Sequence, residues 1–501
     1  MLNAEVNIIF YFLSLFLAFF SRKIFLDCLG AEFIGLTGTL DNILGYLNLA
    51  ELGIGSCISF FLYKPLQSQN RKEIQEILSV FGYLYRWIGF IIWGGGTLVS
   101  LFFPLIFANA ELGLGIIYFT FFSFLGSSLI GYFINYRQIL LSADQKNYLV
   151  AIYFQSANLI RTALQIVLAL TYKNLYLWVF VEFLFGVIGC IILNWKINKE
   201  YPWLKTDKSQ GRKLLKKYPG ILTNTRRIFI HSIKDFIMGK SDELFIFLFV
   251  SLKMVAYYGN YMLIISKVTF LFKSVLDSVG AGIGNLIAEG DKSNTMKVFW
   301  ELTTIRHFVA GFLCFAIYHF IEPFIALWLG SEYILDRTIL ILLVVYVYIS
   351  NSRGVVDMYN HAYGLYADVW SAWTELVINV LTTIICGYYY GIIGILIGKI
   401  ISLTPIVILW KPYYLFHSGL KLPILTYWNG ASRNYLISIL SFVLASIIIK
   451  NLSIHSSENY LSWIYYCIIG VIAYLTINLP LLYLFAKGSH DCLNRLKAIK
   501  K

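Results

Sequence analysis

Charge is what this 501-residue chain has least of. Asp, Glu, Lys and Arg make up 13% of it, against about 25% in a soluble domain. Beside 58% hydrophobic residues, that scarcity excludes a water-soluble globule. The seven cysteines (Cys28, Cys57, Cys190, Cys314, Cys386, Cys467 and Cys492) are scattered, with no CxxC pair and no metal-like spacing. Neither a disulfide framework nor a zinc site is supported. HExxH, GxSxG, Walker and paired-cysteine motifs are absent, so no catalytic residues and no ATP-driven engine are expected. Long extracytoplasmic loops, where membrane-embedded sugar polymerases and ligases place their chemistry, are missing too. The first apolar run lacks a basic leader and a small-residue cleavage site, and reads as a permanent span rather than a signal peptide.

What the chain does have is a series of apolar runs. A membrane span needs about 20 largely apolar residues, and dividing by runs gives about fourteen helices. They lie near 6–26, 39–62, 82–106, 112–136, 148–171, 174–195, 224–250, 256–287, 300–328, 334–361, 369–390, 391–415, 433–450 and 460–486. Runs such as ISILSFVLASIII (437–449) are too long and uniform for the alternating strands of a barrel. The fold class is an all-α polytopic membrane protein.

The net charge of +13 invites a nucleic-acid reading, but its position argues for topology. Lys64, Arg71, Lys72, Arg137, Lys146, eight basic residues between Lys196 and Lys217, Lys292, Lys297, Lys411, Lys421, Arg433 and the C-terminal Lys487, Arg495, Lys497, Lys500 and Lys501 fall in alternate loops. The other loops hold few. Positive loops face the cytoplasm, so both termini are expected inside, and no nucleic-acid partner is implied.

The hydrophilic segment 196–220 divides the chain. The expected organisation is an N-terminal lobe of helices 1–6 (1–195), a basic cytoplasmic linker (196–220), a C-terminal lobe of helices 7–12 (221–415), a cytoplasmic link (416–432), and two final helices with a basic tail (433–501). Two sixes suggest a repeat, a common transporter plan, with thin support from LGIGS (52–56) and AGIGN (281–285) near the ends of the respective second spans.

The segment NTRRIFIHSIKDFIMGKSDELFIF (224–247) carries seven charges inside this apolar chain. On a helix, Arg227, His231, Lys234, Asp235 and Asp242 fall within an arc of about 120°, with Phe229, Ile233, Phe236 and Ile237 opposite. A central charge costs roughly 2.5–3.5 kcal/mol on insertion scales, and an apolar residue returns only about 0.3–0.6. This helix cannot face lipid all round; its polar face must meet water, protein or a polar ligand. His231 and Asp235 can pair at i,i+4, and Lys240 and Glu243 at i,i+3. Arg227 and Lys234 have no acid at either spacing, so their counter-charge must come from another helix or an anionic ligand.

Other spans carry polar faces as well. Span 8 has Asn260, Lys267 and Ser274 at heptad spacing, with Asp277 nearby. Span 10 has Arg353, Asp357, Asn360 and His361, and Arg353 can pair with Asp357. Span 2 has Asp41, Asn42, Asn48 and Glu51, of which Asp41 and Glu51 read as interfacial. Span 5 has Gln155, Asn158, Arg161, Thr162 and Gln165, and span 11 has Glu375 and Asn379. Spread over both halves, these faces fit a hydrated cavity.

Several stretches resemble a known family. LGAEFIGLTGTLDNILGYLNLAELGIGSCISFFLYKPL (29–66), YRQILLSADQKNYLV (136–150), LTNTRRIFIHSIKDFIMGKSDELFIF (222–247) and AGIGNLIAE (281–289) resemble polysaccharide transporters of the multidrug/oligosaccharidyl-lipid/polysaccharide flippase superfamily, the O-antigen and capsule repeat-unit flippases. Where that family often has Thr-Asp-Asn, this chain has Ser241-Asp242-Glu243. Asp242 carries over; the role of an Asn at 243 does not.

The resemblance implies two six-helix lobes in a V shape with two helices outside, a bacterial inner membrane, and alternating access coupled to H+ or Na+, with no other cofactor. It implies a polyprenyl-pyrophosphate-linked oligosaccharide as cargo, and polysaccharide polymerase and export proteins as partners. Arg227, His231, Lys234, Lys267, Arg353 and Asn260 are the candidate substrate-cavity residues. Asp235, Asp242, Asp277 and Asp357 are the candidates for ion coupling or gating; no metal site is expected. The alternatives are a multidrug or cation antiporter on the same scaffold, a lipid II flippase, a membrane-embedded polymerase, and a non-transporting scaffold.

Overall fold

The computed structural model describes residues 2–51, 54–277, 279–365, 368–451 and 458–499. Within these ranges the side chains of Arg226, Arg227, His231, Lys234 and Asp235, among others, lie outside the described part. The long elements are α1 (Leu2–Leu29), α2 (Ala31–Leu47), α3 (Ile54–Gln67), α4 (Arg71–Ser100), α5 (Leu114–Ile134), α6 (Ser156–Tyr172), α7 (Leu175–Glu200), α8 (Gly220–Phe249), α9 (Leu252–Asp277), α10 (Gly280–Ala288), α11 (Lys292–Trp328), α12 (Arg337–Ser352), α13 (Gly354–Ala362), α14 (Val369–Leu403), α15 (Ile424–Asn451), α16 (Tyr460–Phe485) and α17 (Ser489–Ile499). There is no strand among the described residues.

Nine helical stretches among the described residues are long and apolar enough to cross a membrane. The longest, Trp370–Leu420, spans two expected helices. The chain turns at Gly391, whose φ of 57° and ψ of −132° lie outside the helical region; glycine adopts a positive φ without steric cost. The two arms are tied by Thr382 Oγ1 donating to the Gly398 carbonyl (3.1 Å) and by Asn379 Nδ2 donating to Ser402 Oγ (3.3 Å). The helices described within spans 2, 5, 7 and 8 are not among those nine. These are four of the spans whose polar faces the sequence marks.

Helix starts are fixed by side chains. Asn70, Asn174, Asp291, Asp336 and Asn459 each accept from a backbone N–H of the first turn, satisfying donors that have no partner within the helix. On the outside, Phe16, Leu105, Tyr388, Tyr389, Tyr390 and Leu461 are more than two-thirds exposed, the apolar surface that lipid requires.

By internal contacts the chain forms two units, 1–256 and 257–501. In the first, α7 packs on α5 and α6, α4 on α5, and α8 on α2 and α3. Phe33, Leu36, Leu40, Leu78, Phe81 and Phe121 are fully buried there. The division falls inside α9, so segment 196–220 and α8 belong to the first unit. The reason is local. Gln75 Nε2 donates to the Trp203 carbonyl (2.6 Å) and Asp207 N to Ser79 Oγ (3.0 Å), which straps the segment along α4. Phe236 of α8 stacks edge-on against Tyr46 of α2 (5.6 Å).

The second unit is built on α11. Phe299, Trp300, Tyr359, Phe416 and Tyr427 form one cluster, and Phe315, Phe320, Ala445 and Tyr474 another that docks α15 and α16.

Glu51 is held by two tyrosines. Sitting in the short 3-10 turn after α2, it accepts from Tyr132 Oη (2.5 Å) and from Tyr85 Oη. Glu51→Ala orphans two largely buried hydroxyls, at about 1–3 kcal/mol each. Thermal unfolding in micelles is expected to show that loss, and Tyr85→Phe with Tyr132→Phe on the same background is expected to recover part of it. An unchanged midpoint for Glu51→Ala refutes the clamp.

Candidate functional site

In the first unit the polar faces of α2, α5, α7 and α8 meet around a cavity of about 370 Å³ lined by Asp41, Asn48, Ser127, Ser128, Glu182 and Lys240. Lys240 Nζ lies 3.5 Å from Asp41. Both are well exposed, so the pair is weak. One turn along α8, Glu243 accepts from Asn42 Nδ2 at 2.6 Å, and the same amide donates to the Gly38 carbonyl. Lys240 and Glu243, which their i,i+3 spacing would pair with each other, reach instead to α2. The helix–helix interface supplies an acid and an amide at the right height. Asp242 and Ser241 are buried beside them. Asn48 Oδ1 accepts from Ser128 Oγ (3.4 Å).

Glu182, on the far wall, belongs to an ion pair. Arg161 of α6 bonds Glu182 of α7, and Gln165 Nε2 donates to the same carboxylate at 2.9 Å. Arg161 Nε and Ser127 Oγ are buried with no hydrogen-bond partner among the described residues. Unsatisfied buried polar atoms are rare and mark a place for a polar guest.

In the second unit Asp277 of α9 pairs with Arg306 of α11, whose side chain is 3% exposed. Arg353 and Asp357 pair at 3.3 Å, where α12 bends into α13. Glu375 and Asn379 of α14 are buried, as is Lys399, whose ammonium lies 4.5 Å from the Tyr346 ring centre. A buried cation over an aromatic face is partly compensated by the ring's negative face. Near the ends of α14, Asp368 is an acid whose burial would raise its pKa; donation from Lys411 Nζ (2.8 Å), Ser371 and Trp410 instead holds it below the ordinary carboxylate range.

The candidate residues therefore distribute as follows. Asp242 is buried in the first unit. Asn260 is fully buried and Lys267 half-buried on α9. Asp277, Arg353 and Asp357 are in ion pairs. Arg227, His231, Lys234 and Asp235 are positions on α8 whose side chains lie outside the described part, and so does the expected His231–Asp235 pair. Glu182, Arg306 and Lys399 are among the charges that sequence patterning passed over. Two of them carried a usable signal. Glu182 is a lone acid in LYLWVFVEFLFGVIG (175–189), and Lys399 a lone base in GIIGILIGKIISL (391–403). A charge in such a run is as costly as one on a visible stripe.

With this geometry in place, comparison with solved structures gives the fold a context. The chain is similar to the lipid II flippase MurJ in an inward closed conformation, with a TM-score of 0.66, 16% identity, and coverage of 95% of this chain and 98% of that one. It is similar to an inward-facing multidrug resistance MATE family transporter of the MOP superfamily, with a TM-score of 0.60, 14% identity, and coverage of 82% and 95%. No protein-family profile matches the chain, and no curated protein sequence does. At these identities the likeness is one of fold. The chain is a multi-pass membrane protein with the all-helical fold shared by MurJ and MATE transporters.

If Arg161 and Glu182 stabilise one another, a double-mutant cycle of Arg161→Ala and Glu182→Ala is expected to give a coupling of about 0.5–3 kcal/mol. Unfolding of the four proteins in micelles measures it. A coupling indistinguishable from zero makes the pair incidental to the cavity wall.

Proposed function

We propose that the protein is a flippase that carries polyprenyl-pyrophosphate-linked oligosaccharide repeat units from the cytoplasmic to the outer leaflet of a bacterial inner membrane. The movement is by alternating access coupled to H+ or Na+, and it serves surface polysaccharide synthesis. The sequence pattern that carries the reading is the basic residues expected within spans 7 and 8, Arg227 and Lys234 on α8 and Lys267 on α9, where insertion of each charge is costly. A pyrophosphate is dianionic or more, and cations in a low-dielectric site attract it far more strongly than they would in water. The four stretches that resemble repeat-unit flippases, and the likeness in fold to a lipid-linked flippase over nearly all of both chains, support the same conclusion. In this reading Arg227, His231, Lys234, Asn260, Lys267 and Arg353 serve the headgroup and sugars. Asp235, Asp242, Asp277 and Asp357 serve coupling or gating, and polymerase and export proteins take the product.

The multidrug antiporter reading shares the fold. An organic cation favours a cavity with unanswered acids. Here the half-buried acid lining the first unit's cavity, Glu182, is answered by Arg161, which favours the anionic cargo.

The test is complementation in a host lacking its own repeat-unit flippase, scored as surface polysaccharide, with membrane levels checked by immunoblot. Wild type is expected to restore polysaccharide. Lys234→Ala and Lys267→Ala are each expected to cut it at least tenfold at normal protein levels. Normal polysaccharide in both variants overturns the cation assignment. Drug resistance conferred without any polysaccharide favours the antiporter.

A further inference from the structure

A second set of cations stands outside that cavity, on the flank of the first unit. Arg86 of α4, Arg137 just after α5, and Lys208 of the strap converge from three separate parts of the sequence. The stem of Lys208 lies along α4 at Gly82, where an added Cβ would come within 3.1 Å of its Cγ. Its ammonium donates to the Phe133 carbonyl at 2.7 Å and sits 4.4 Å from the Tyr136 ring centre. Arg86 is one turn beyond Gly82 on the same face of α4, its guanidinium 5.8 Å from the Phe90 ring, and Phe90 packs against Phe133 at 5.6 Å. Arg137 is adjacent to Tyr136 and bonds only neutral oxygens in the described contacts, those of Asn194 and Asn198. The three charges feel one another. Burial lowers the pKa of Lys208, and the positive fields of Arg137 and Arg86 lower it further.

Acids of the same rim are committed elsewhere. Asp144 and Glu200 hold Lys146 at 2.9 and 3.0 Å. Glu76 takes Lys217 and Tyr218. Asp207, next to Lys208, spends its carboxylate on Ser209 and Gln210, and those bonds hold it below the ordinary range. Around the cluster, Trp87, Phe90 and Trp195 are about half exposed. Tryptophan and basic side chains at one level mark the headgroup region of a bilayer, and the positive-inside rule places this end in the cytoplasm.

We infer that Arg86, Arg137 and Lys208 form a binding site for the phosphate of an anionic glycerophospholipid of the cytoplasmic leaflet, its acyl chains lying along the exposed aromatic flank of α4. The headgroup supplies the negative charge the rim lacks. The three cations offer guanidinium and ammonium donors to its phosphate oxygens, and the aromatic rings meet the glycerol and upper chain. The role is anchorage of α4 and its strap against the leaflet surface, independent of what the transporter carries.

The test uses the full-length protein purified in detergent and titrated with dioleoyl phosphatidylglycerol, dioleoyl phosphatidylcholine or inorganic phosphate. Bound lipid is counted by native mass spectrometry, and thermal stability is followed in parallel. Phosphatidylglycerol is expected to bind and to raise the unfolding midpoint; phosphatidylcholine and inorganic phosphate are expected to do neither. Each cation removed is expected to weaken phosphatidylglycerol roughly fivefold, and Arg86→Gln/Arg137→Gln/Lys208→Gln together about 100-fold. Arg212→Gln/Lys213→Gln/Lys216→Gln, the same charge change at exposed positions of the same segment, is expected to weaken it less than about threefold. Equal losses in the two triple variants replace the site with diffuse attraction and overturn the proposal. So does equal binding of the two lipids, or inorganic phosphate abolishing the phosphatidylglycerol signal at equimolar level. If the triple variant does not fold, Arg86→Gln alone, at an exposed position, carries the comparison.

Discussion

Every ionised side chain placed between two layers of headgroups has to be answered by something. Hydrocarbon offers no counter-charge and no hydrogen bond, so the answer comes from another helix, from an aromatic face, from water in a cavity, or from a ligand. Much of the architecture follows from this demand. α8 is tied to α2 by Asn42, whose amide meets Glu243. α6 is joined to α7 because Arg161 needs Glu182. α9 is joined to α11 because Arg306, almost wholly out of solvent, needs Asp277. Apolar packing fills the remaining space, but it does not choose partners among helices that are all equally apolar.

The same demand separates structural charges from functional ones. A pair such as Arg306–Asp277 closes on itself: removing either partner strands the other, and its presence alone is weak evidence for chemistry. The first unit's cavity is different. Its lining carries charges of both signs and the Ser127 hydroxyl, which has no hydrogen-bond partner among the described residues; Arg161 Nε, behind Glu182, has none there either. A wall of that kind is costly unless something polar visits it. Asp41, Lys240 and Glu182 thus join helices and line the cavity at once.

The class of fold could be read from the sequence because its signal is additive over long windows: apolar runs of about 20 residues. The hairpin at Gly391 was legible as two runs, although nothing in GYYYGIIGIL (387–396) marks which glycine turns. The stripe on 224–242 falls on a helix, α8, and the side chains of Arg227, His231, Lys234 and Asp235 lie outside the described part. Partners were not legible, since helix pairing depends on heights and rotations that no local pattern encodes. Lys240 and Glu243 illustrate the limit: their spacing allows a bond to each other, and α2 offered each a closer answer. Isolated charges were passed over for the opposite reason. Glu182 and Lys399 form no pattern, and a search for faces does not see them, yet the energy argument applies to a single charge as fully as to a stripe.

Segment 196–220 is basic and proline-containing, and its composition reads as a cytoplasmic linker. Specific contacts hold it along α4, with Tyr136 Oη on Thr206 Oγ1 at 2.6 Å and Tyr218 Oη on Glu76 at 2.7 Å. Burial and the bond to Glu76 push the Tyr218 hydroxyl pKa upward, so that phenol stays a donor at any physiological pH. A segment held this way transmits the position of α4 to the start of α8 rather than leaving the two free. Its surplus of positive charge is then more than a topological marker. Charge that is fixed in place by packing, unlike charge on a loose tether, presents a defined arrangement to the membrane surface, and a defined arrangement can discriminate among headgroups.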